Sequence, residues 1–156
     1  MGKALVRAMT LEDLEAVREI EKASFSDAWA REAFIREITQ NKCARYIVLS
    51  LDQRVVAYAG MWLVIDEAHV MSIAVHPDHR GQGYGERITR ALMRLAAQTG
   101  MTWMTLEVRR SNHIAQALYR KVGFADVGYR KRYYENNHED ALIMACEQLP
   151  GPESAG

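Results

Sequence analysis

Hydrophobic residues recur along the chain in two patterns, one with helical spacing and one of short apolar runs, and these patterns predict its helices and strands. Leu11, Leu14, Val17 and Ile20 recur at helical spacing behind Thr10, a residue type that caps helices. Similar spacing predicts helices at residues 29–40, from the segment after Gly85 to about Thr99, and from Ser111 or Asn112 through Val122. Short apolar runs predict strands at residues 3–9, 44–51, 55–65, 68–75, 102–109, 124–134 and 139–149. The predicted order is β-α-α-β-β-β-α-β-α-β-β.

This order of elements predicts the fold class. Consecutive strands in the middle of the chain form antiparallel hairpins, whereas the strand-helix-strand unit at 68–109 forms a right-handed parallel crossover. We therefore expect an α+β (mixed α/β) fold, with a central mixed, mostly antiparallel sheet of six to seven strands and about four flanking helices. The 156 residues suit one domain, which we place at 1–149, and the polar segment 150–156 is expected to be a disordered tail.

Composition excludes several classes of function. Twenty Lys and Arg residues balance twenty Asp and Glu residues, so no overall charge points to a nucleic-acid or membrane partner. Cys43 and Cys146 lie far apart and are expected to be buried as small apolar residues, which favours a reducing, cytoplasmic location. The five histidines give no convincing set of metal ligands, and we expect no metal.

The segment Arg80-Gly81-Gln82-Gly83-Tyr84-Gly85 joins a predicted strand to a predicted helix. Glycines that lack Cβ atoms let backbone N–H groups approach a phosphate at a helix N-terminus, and Arg80 adds positive charge. A flexible turn is the alternative. The segment has no GxxxxGK[ST] pattern for a triphosphate, and the dinucleotide pattern needs a glycine at the position of Glu86. Binding of a pyrophosphate without a metal is the functional interpretation that remains for this segment.

Three stretches resemble a known family. The glycine segment resembles the R/Q-x-x-G-x-G/A motif of the GCN5-related N-acetyltransferases (GNAT), filled here by Arg80, Gly83 and Gly85. LEVRRSNHIAQALYRKVGF at 106–124 and the RKRYYENNHEDALIM segment are similar to stretches of the RimI-type protein N-terminal acetyltransferases. The resemblance covers nearly the whole chain, and it implies that acetyl-CoA is the cosubstrate.

The resemblance also implies which residues bind the cosubstrate. In the family the glycine loop binds the pyrophosphate, and the strand before it pairs through its backbone with the pantetheine arm. The predicted cofactor-binding residues are Ile73, Ala74, Val75, Arg80, Gly81, Gln82, Gly83, Tyr84, Gly85, Glu86 and Asn112. For Asn112 a helix cap is the simpler alternative.

Glu107 and Tyr119 are the candidates for acid–base chemistry. A carboxylate inside a predicted central strand needs a partner, water or a function, and a salt bridge to Arg109 or Arg110 is the structural alternative for Glu107. Tyr119 lies at the edge of the predicted apolar face formed by Ile114, Leu118 and Val122, where a core tyrosine is the alternative. The resemblance implies that Glu107 is the general base, acting through water, and that Tyr119 is the general acid for the leaving thiolate.

Aromatic residues are candidates for binding the acceptor. Tyr133 and Tyr134, with Tyr129, lie on or near the last hairpin and are predicted to form a groove with Phe25 and Trp29; an aromatic sheet edge is the alternative. An α-amino group has a reference pKa of ~7.7–8.0 against ~10.4 for lysine, so a modest base suits the α-amine better.

The resemblance implies that the acceptor is the N-terminal alanine of a ribosomal protein, without direct nucleic-acid binding. Three alternatives stay open: lysine side chains, small amines, and a non-catalytic module that binds acetyl-CoA. The hairpin YRKRYY at 129–134 argues mildly against small cations, because such substrates need carboxylates in the groove. Arg130-Lys131-Arg132 with Tyr133 and Tyr134 could suggest RNA binding, but a charged edge strand explains them more simply.

Overall fold

The computed structural model describes residues 3–25, 28–131, 133–134 and 139–149. The strands are β1 (Ala4–Ala8), β2 (Ala44–Leu51), β3 (Arg54–Val64), β4 (Glu67–Val75), β5 (Trp103–Arg109), β6 (Ala125–Arg130) and β7 (Ala141–Cys146). The α-helices of the described residues are α1 (Leu14–Ser24), α2 (Arg31–Thr39), α3 (Tyr84–Gln98) and α4 (His113–Lys121). The predicted order of elements is confirmed, while the predicted tail at 150–156 lies outside the described residues.

The seven strands form one mixed sheet in the order β1-β2-β3-β4-β5-β7-β6. Only β4 and β5, among the pairs whose register is described, run parallel, with His69 opposite Thr105, as the helical crossover between them requires. The other described pairs are antiparallel, and in one of them Glu107 of β5 lies opposite Ile143 of β7. The predicted mixed α/β fold is therefore confirmed.

Two local features depart from the sequence prediction. The hairpin between β2 and β3 turns on Asp52 and Gln53 alone, both with positive φ (50° and 68°), whereas Arg54 already belongs to β3. At the start of the first helix, Leu11–Asp13 form a 3-10 turn before α1 begins. The side chain of Asp13 accepts hydrogen bonds from the backbone N–H and hydroxyl of Thr10, which gives the predicted cap.

The chain divides into two compact units. The first unit comprises Met1–Trp62 and Met71–Leu92. Its core joins the apolar faces of α1 and α2 to side chains of β2, β3 and β4, with Phe34 and Tyr58 among its largest buried residues.

The second unit comprises Leu63–Val70 and Met93–Gly156. Met104, Leu106 and Val108 are buried at alternate positions of β5, as expected for a strand with one covered face, and Thr105 is buried on the opposite face. Helix α4 buries Gln116 and Tyr119, whereas Ile114 is 88% exposed, so its assignment to the apolar face was wrong.

Cysteine burial also differs from the prediction. Cys146 is buried in β7, but Cys43 is exposed in the turn before β2, so the prediction holds for only one of the two residues. Within the described part of the chain, no helix combines the length and hydrophobicity needed to cross a membrane.

Candidate active site

The glycine segment forms an exposed loop that leads directly into α3. Gly81 and Gly83 have φ angles of 77° and 87°, which L-residues with side chains rarely adopt. A Cβ atom built at either position would meet nothing within 4 Å, so open space surrounds the backbone there. The two glycines are thus explained by backbone conformation, and they leave room for a ligand against the main chain at the N-terminus of α3.

Arg80 is anchored within the first unit. Its Nε donates to the carbonyl oxygen of Val75 at 3.1 Å, and its terminal nitrogen donates to Oγ of Ser24 at 3.0 Å. Further along, Glu86 forms an ion pair with Arg90 at 2.9 Å on α3. The guanidinium therefore lies between the end of β4 and the last residue of α1, in an exposed position next to the glycine loop.

Glu107 of β5 contacts His69 of β4 in the second unit. Nε2 of His69 lies 3.1 Å from Oε2 of Glu107, and Nε of Arg130 lies 3.8 Å from the other carboxylate oxygen. Arg109 and Arg110, the predicted partners of Glu107, instead pair with Glu139 and Asp140. The structural alternative for Glu107, a salt bridge to Arg109 or Arg110, is therefore wrong: the partners of Glu107 come from β4 and β6.

A chain of hydrogen bonds fixes the protonation of His69. The hydroxyl of Thr105 has a single proton and donates it to Glu67 at 2.8 Å, so Nδ1 of His69, 3.3 Å from the same hydroxyl oxygen, must donate. Nε2 must donate to the carboxylate of Glu107, which only accepts. Both ring nitrogens therefore carry protons when every contact is satisfied, and the residue is then an imidazolium.

The pair shifts both pKa values in the directions that stabilise the charged forms. The hydrogen bond and charge of Glu107 raise the pKa of His69 above its ordinary value, against the opposing effect of burial. Burial raises the pKa of Glu107, but the hydrogen bond and charge of His69 together with Arg130 outweigh it, so that the pKa of Glu107 is lowered. Glu107 is consequently ionised at neutral pH although its side chain is only 10% exposed.

Tyr119 is buried on α4 and remains protonated. Burial, and secondarily the nearby Tyr134, raise its pKa to about 12, and its ring lies 5.9 Å from that of Phe124. Burial also raises the pKa of Tyr134 to about 12, with Glu107 among the smaller contributions. Tyr134 thus lies within electrostatic range of both Glu107 and Tyr119, and the ring of Tyr134 stacks under the guanidinium of Arg109 at 4.0 Å.

The remaining predicted site residues have structural contacts of their own. Asn112 caps α4 by accepting a hydrogen bond from the backbone N–H of Ala115 at 3.1 Å, so binding of the cosubstrate by Asn112 stays a prediction. Trp29 packs on Phe34 at 5.2 Å in the first unit, and Phe25 is 40% exposed. In the second unit, Tyr133 is 43% exposed and meets Tyr134 edge-on at 5.1 Å. The residues Arg132 and 135–138 lie outside the described residues.

A pocket of about 380 Å³ opens on the sheet face of the second unit. Its polar lining consists of Glu107, His69, Arg130 and Thr105, with two further carboxylates, Glu67 and Glu147. Apolar side chains complete the wall: Trp103, Val127, Ile143 and Ala145. A cavity that combines an ionised carboxylate, an imidazolium and apolar walls suits a cationic group on a short organic chain.

The sequence profile of the acetyltransferase (GNAT) family matches residues 14–124, which is more than half of the chain. The chain belongs to the GNAT acetyltransferase family. The prediction of this family from the glycine segment and residues 106–124 is therefore confirmed.

One relative is similar to this GNAT chain over nearly its full length. A protein of Bacillus subtilis, provisionally named ribosomal protein bS18-alanine N-acetyltransferase, is 44% identical over 142 residues, which are 91% of this chain and 94% of that protein.

Two solved structures share the fold. The crystal structure of the ribosomal-protein-S18-alanine N-acetyltransferase from Escherichia coli has 30% identity and a TM-score of 0.86, covering 97% of this chain and 98% of that one. The PaiA N-acetyltransferase of Thermoplasma acidophilum, solved in complex with coenzyme A, has 17% identity and a TM-score of 0.73, covering 93% of this chain and 99% of that one.

Sequence reasoning missed His69 and the role of Arg130 at Glu107. His69 stands 38 residues before Glu107, and nothing in the local pattern AHVMSIAV distinguishes it from a polar residue on a half-buried strand. The signal that could have found it is topological. The parallel crossover places the start of β4 beside β5, so that residue 69 lies opposite residue 105. Residue 107 is two positions further along β5, on the same face of the sheet, and is therefore a diagonal neighbour of residue 69.

Proposed function

We propose that this GNAT protein transfers the acetyl group of acetyl-CoA to the α-amino group of a protein N-terminus, the N-terminal alanine of a ribosomal protein. The names of its relatives support this acceptor. The observation that carries the chemistry is the His69–Glu107 contact of 3.1 Å in a pocket with apolar walls. It supplies a base that is ionised, oriented and partly shielded from water.

The described loop fits the proposed cosubstrate. Positive φ angles at Gly81 and Gly83, with open space where Cβ atoms would stand, present main chain to a pyrophosphate, and Arg80 adds charge nearby. The backbone of Ile73, Ala74 and Val75 is proposed to bind the adjoining arm. When bound, acetyl-CoA supplies a thioester that a neutral amine attacks.

Glu107 is proposed to remove the proton that the attacking amine must lose, directly or through one water. A carboxylate with a lowered pKa is a weak base, and the charge of His69 sets how weak. When the ring loses its Nδ1 proton, Nε2 still donates to Glu107, but the positive charge that lowers the pKa of Glu107 is gone and the carboxylate becomes a stronger base. Tyr119 is proposed to donate its hydroxyl proton to the leaving thiolate. Its pKa of about 12 keeps that proton available at every physiological pH.

A small polyamine is the second candidate acceptor, because of one observation. The basic hairpin at 129–134 was expected to argue against small cations, which need carboxylates, yet Glu67, Glu107 and Glu147 all line the pocket of the second unit. The three carboxylates carry one more charge than Arg130 and protonated His69 together, so the pocket can accept an additional positive charge.

Mass spectrometry of reactions with acetyl-CoA tests the proposal. The acceptors are a lysine-free peptide with a free N-terminal alanine, the same peptide with a blocked N-terminus, a blocked peptide containing lysine, and spermidine. We expect one added acetyl group on the first acceptor alone. Acetylation confined to lysine or spermidine would replace the proposed acceptor class, and binding of acetyl-CoA without transfer to any of them would indicate a non-catalytic module.

A further inference from the structure

The first unit buries a carboxylate that the proposed chemistry leaves unused. Glu21 of α1 is 4% exposed, and no described cation forms an ion pair with it. Its two oxygens accept hydrogen bonds from the hydroxyl of Tyr58, at 2.6 Å, and from the backbone N–H of Trp29. A buried carboxylate held only by neutral donors is costly, and an apolar side chain of similar size would pack there at lower cost.

The contacts of Glu21 continue to β4 of the same unit. Tyr58 is fully buried, and its hydroxyl lies 2.9 Å from Oγ of Ser72. Burial and the charge of Glu21 raise the pKa of Tyr58, so its hydroxyl remains protonated and donates to the carboxylate. Ser72 directly precedes Ile73, the first residue of the stretch proposed to bind the cosubstrate arm.

Trp29 is fixed twice by this arrangement. Its backbone N–H is bound by Glu21, and its ring packs on Phe34 at 5.2 Å, while Phe34 meets the ring of Tyr58 edge-on at 6.2 Å. Side chain and main chain of Trp29 therefore both depend on the pair Glu21–Tyr58. Phe25 and Trp29, which lie between α1 and α2, are the residues that the sequence predicts to contact the acceptor.

We propose that Glu21 is a positioning residue for the acceptor, which holds the Trp29 segment in register with Ser72 of β4 through Tyr58. This inference rests on the proposed function, because it assigns the Trp29 segment to the N-terminus being acetylated. It explains why a charged side chain is kept where packing alone favours an apolar one: hydrogen bonds fix one position of the Trp29 backbone, whereas apolar contacts permit several.

Steady-state kinetics with the alanine peptide and acetyl-CoA test the inference on the full chain. Glu21→Met keeps the volume and removes both acceptor oxygens, and we expect it to raise KM for the peptide about tenfold, with kcat within about twofold of the wild type. Glu21→Gln still accepts from Trp29 and donates to Tyr58, so it should restore most of the affinity. Tyr58→Phe removes one of the two donors and should raise KM about threefold.

Glu37→Met is the matched control, because Glu37 of α2 also accepts hydrogen bonds, from Tyr46 and Trp62, without touching Trp29. It should lower thermal stability and leave KM unchanged. A wild-type KM in both Glu21→Met and Tyr58→Phe would overturn the inference, as would an equal rise in KM in Glu37→Met.

A measurement without turnover separates this inference from the proposed function. In a Trp62→Phe, Trp103→Phe background Trp29 is the sole tryptophan, and Glu21→Met should increase quenching of its fluorescence by acrylamide. Unchanged quenching would refute the anchoring of Trp29 even if peptides are acetylated. Failure of the wild-type chain to acetylate any peptide would instead refute the proposed function and, with it, the role in acceptor binding.

Discussion

His69 and Glu107 stand on the two parallel strands β4 and β5 and meet at 3.1 Å between Nε2 and Oε2. Because the hydroxyl of Thr105 donates its proton to Glu67, the contacts of the His69 ring with Glu107 and Thr105 are both satisfied only when the ring carries both protons. The resting pair is therefore an ion pair, and its titration sets the form in which Glu107 can act as a base.

Replacement of Glu107 by Gln should abolish most turnover. The amide keeps the size and can still accept from His69, but it cannot take a proton. We expect kcat to fall by about 10²- to 10⁴-fold with the dissociation constant of acetyl-CoA unchanged. Mass spectrometry of reactions quenched at set times measures kcat, and calorimetry measures the dissociation constant of acetyl-CoA. Asp126→Asn is the control, since Asp126 pairs with Arg120 at 2.9 Å outside the pocket, and a comparable loss there would remove the special role of Glu107.

The pH profile of kcat should report His69. Its pKa is raised above the ordinary ~6.5, so the neutral ring, whose charge no longer lowers the pKa of Glu107, accumulates only as the pH rises through that raised value. We expect an ascending limb above pH ~6.5 in the wild type. His69→Asn keeps a donor to Glu107 and cannot titrate, so this limb should disappear. An identical limb in the variant would show that another group, such as the acceptor amine, causes it.

Tyr119→Phe should slow the reaction without weakening acceptor binding. The ring contact with Phe124 is retained, and only the proton donor for the thiolate is lost. A decrease in kcat of about 10²-fold is expected, with KM for the peptide within about twofold. Because the pKa of Tyr119 is raised to about 12, the wild type should show no descending limb from this residue below pH ~10. Tyr46→Phe, which removes a buried hydroxyl in the other unit, should affect stability alone. Full activity of Tyr119→Phe would leave the acid unidentified.

Gly83→Ala should weaken binding of coenzyme A beyond its effect on stability. The φ angle of 87° costs an L-residue about 1–2 kcal/mol of folding free energy. Gly100 at the end of α3 has a φ angle of 94° and equally open surroundings, so Gly100→Ala should lower the melting temperature by a similar amount. Only Gly83→Ala should raise the dissociation constant of coenzyme A, by about tenfold or more in calorimetry. Equal affinities in the two variants would exclude the loop from pyrophosphate binding.

Asp13→Asn should destabilise the chain in a pH-dependent way. Arg7 donates two hydrogen bonds of 2.8 Å to Asp13, which lower the pKa of that carboxyl below its ordinary value. The stabilisation is therefore present above the unfolded pKa of ~3.9 and is lost as the pH falls through the lower folded value. Since Arg7 is partly exposed, we expect a loss of about 1 kcal/mol in unfolding free energy at pH 7, as measured in urea. A loss that persists at pH 2 would contradict the charge-based explanation.

Local chemistry was predictable from the sequence because it depends on neighbours in the chain. Thr10 and Asp13 lie within one turn, so their mutual hydrogen bonds follow from spacing. The same holds for the loop at Gly81 and Gly83, where the need for positive φ is read from residue type. The boundaries of the strands were less accurate, as at Arg54, because Asp52 and Gln53 adopt positive φ without being glycine.

The family and the mixed sheet followed from the sequence, since contiguous motifs and hydrophobic periodicity encode them, whereas the roles of Glu107 and Tyr119 remain predictions. The partner of Glu107 did not follow from the sequence. Arg109, two residues along the same strand, is held by Glu139 and stacked on Tyr134, so the carboxylate pairs with His69 across the parallel ladder. The tertiary structure decided which residue contacts Glu107. Because β4 lies beside β5, His69 and Glu107 are closer in space than alternate residues of one strand, although 38 positions separate them in the sequence.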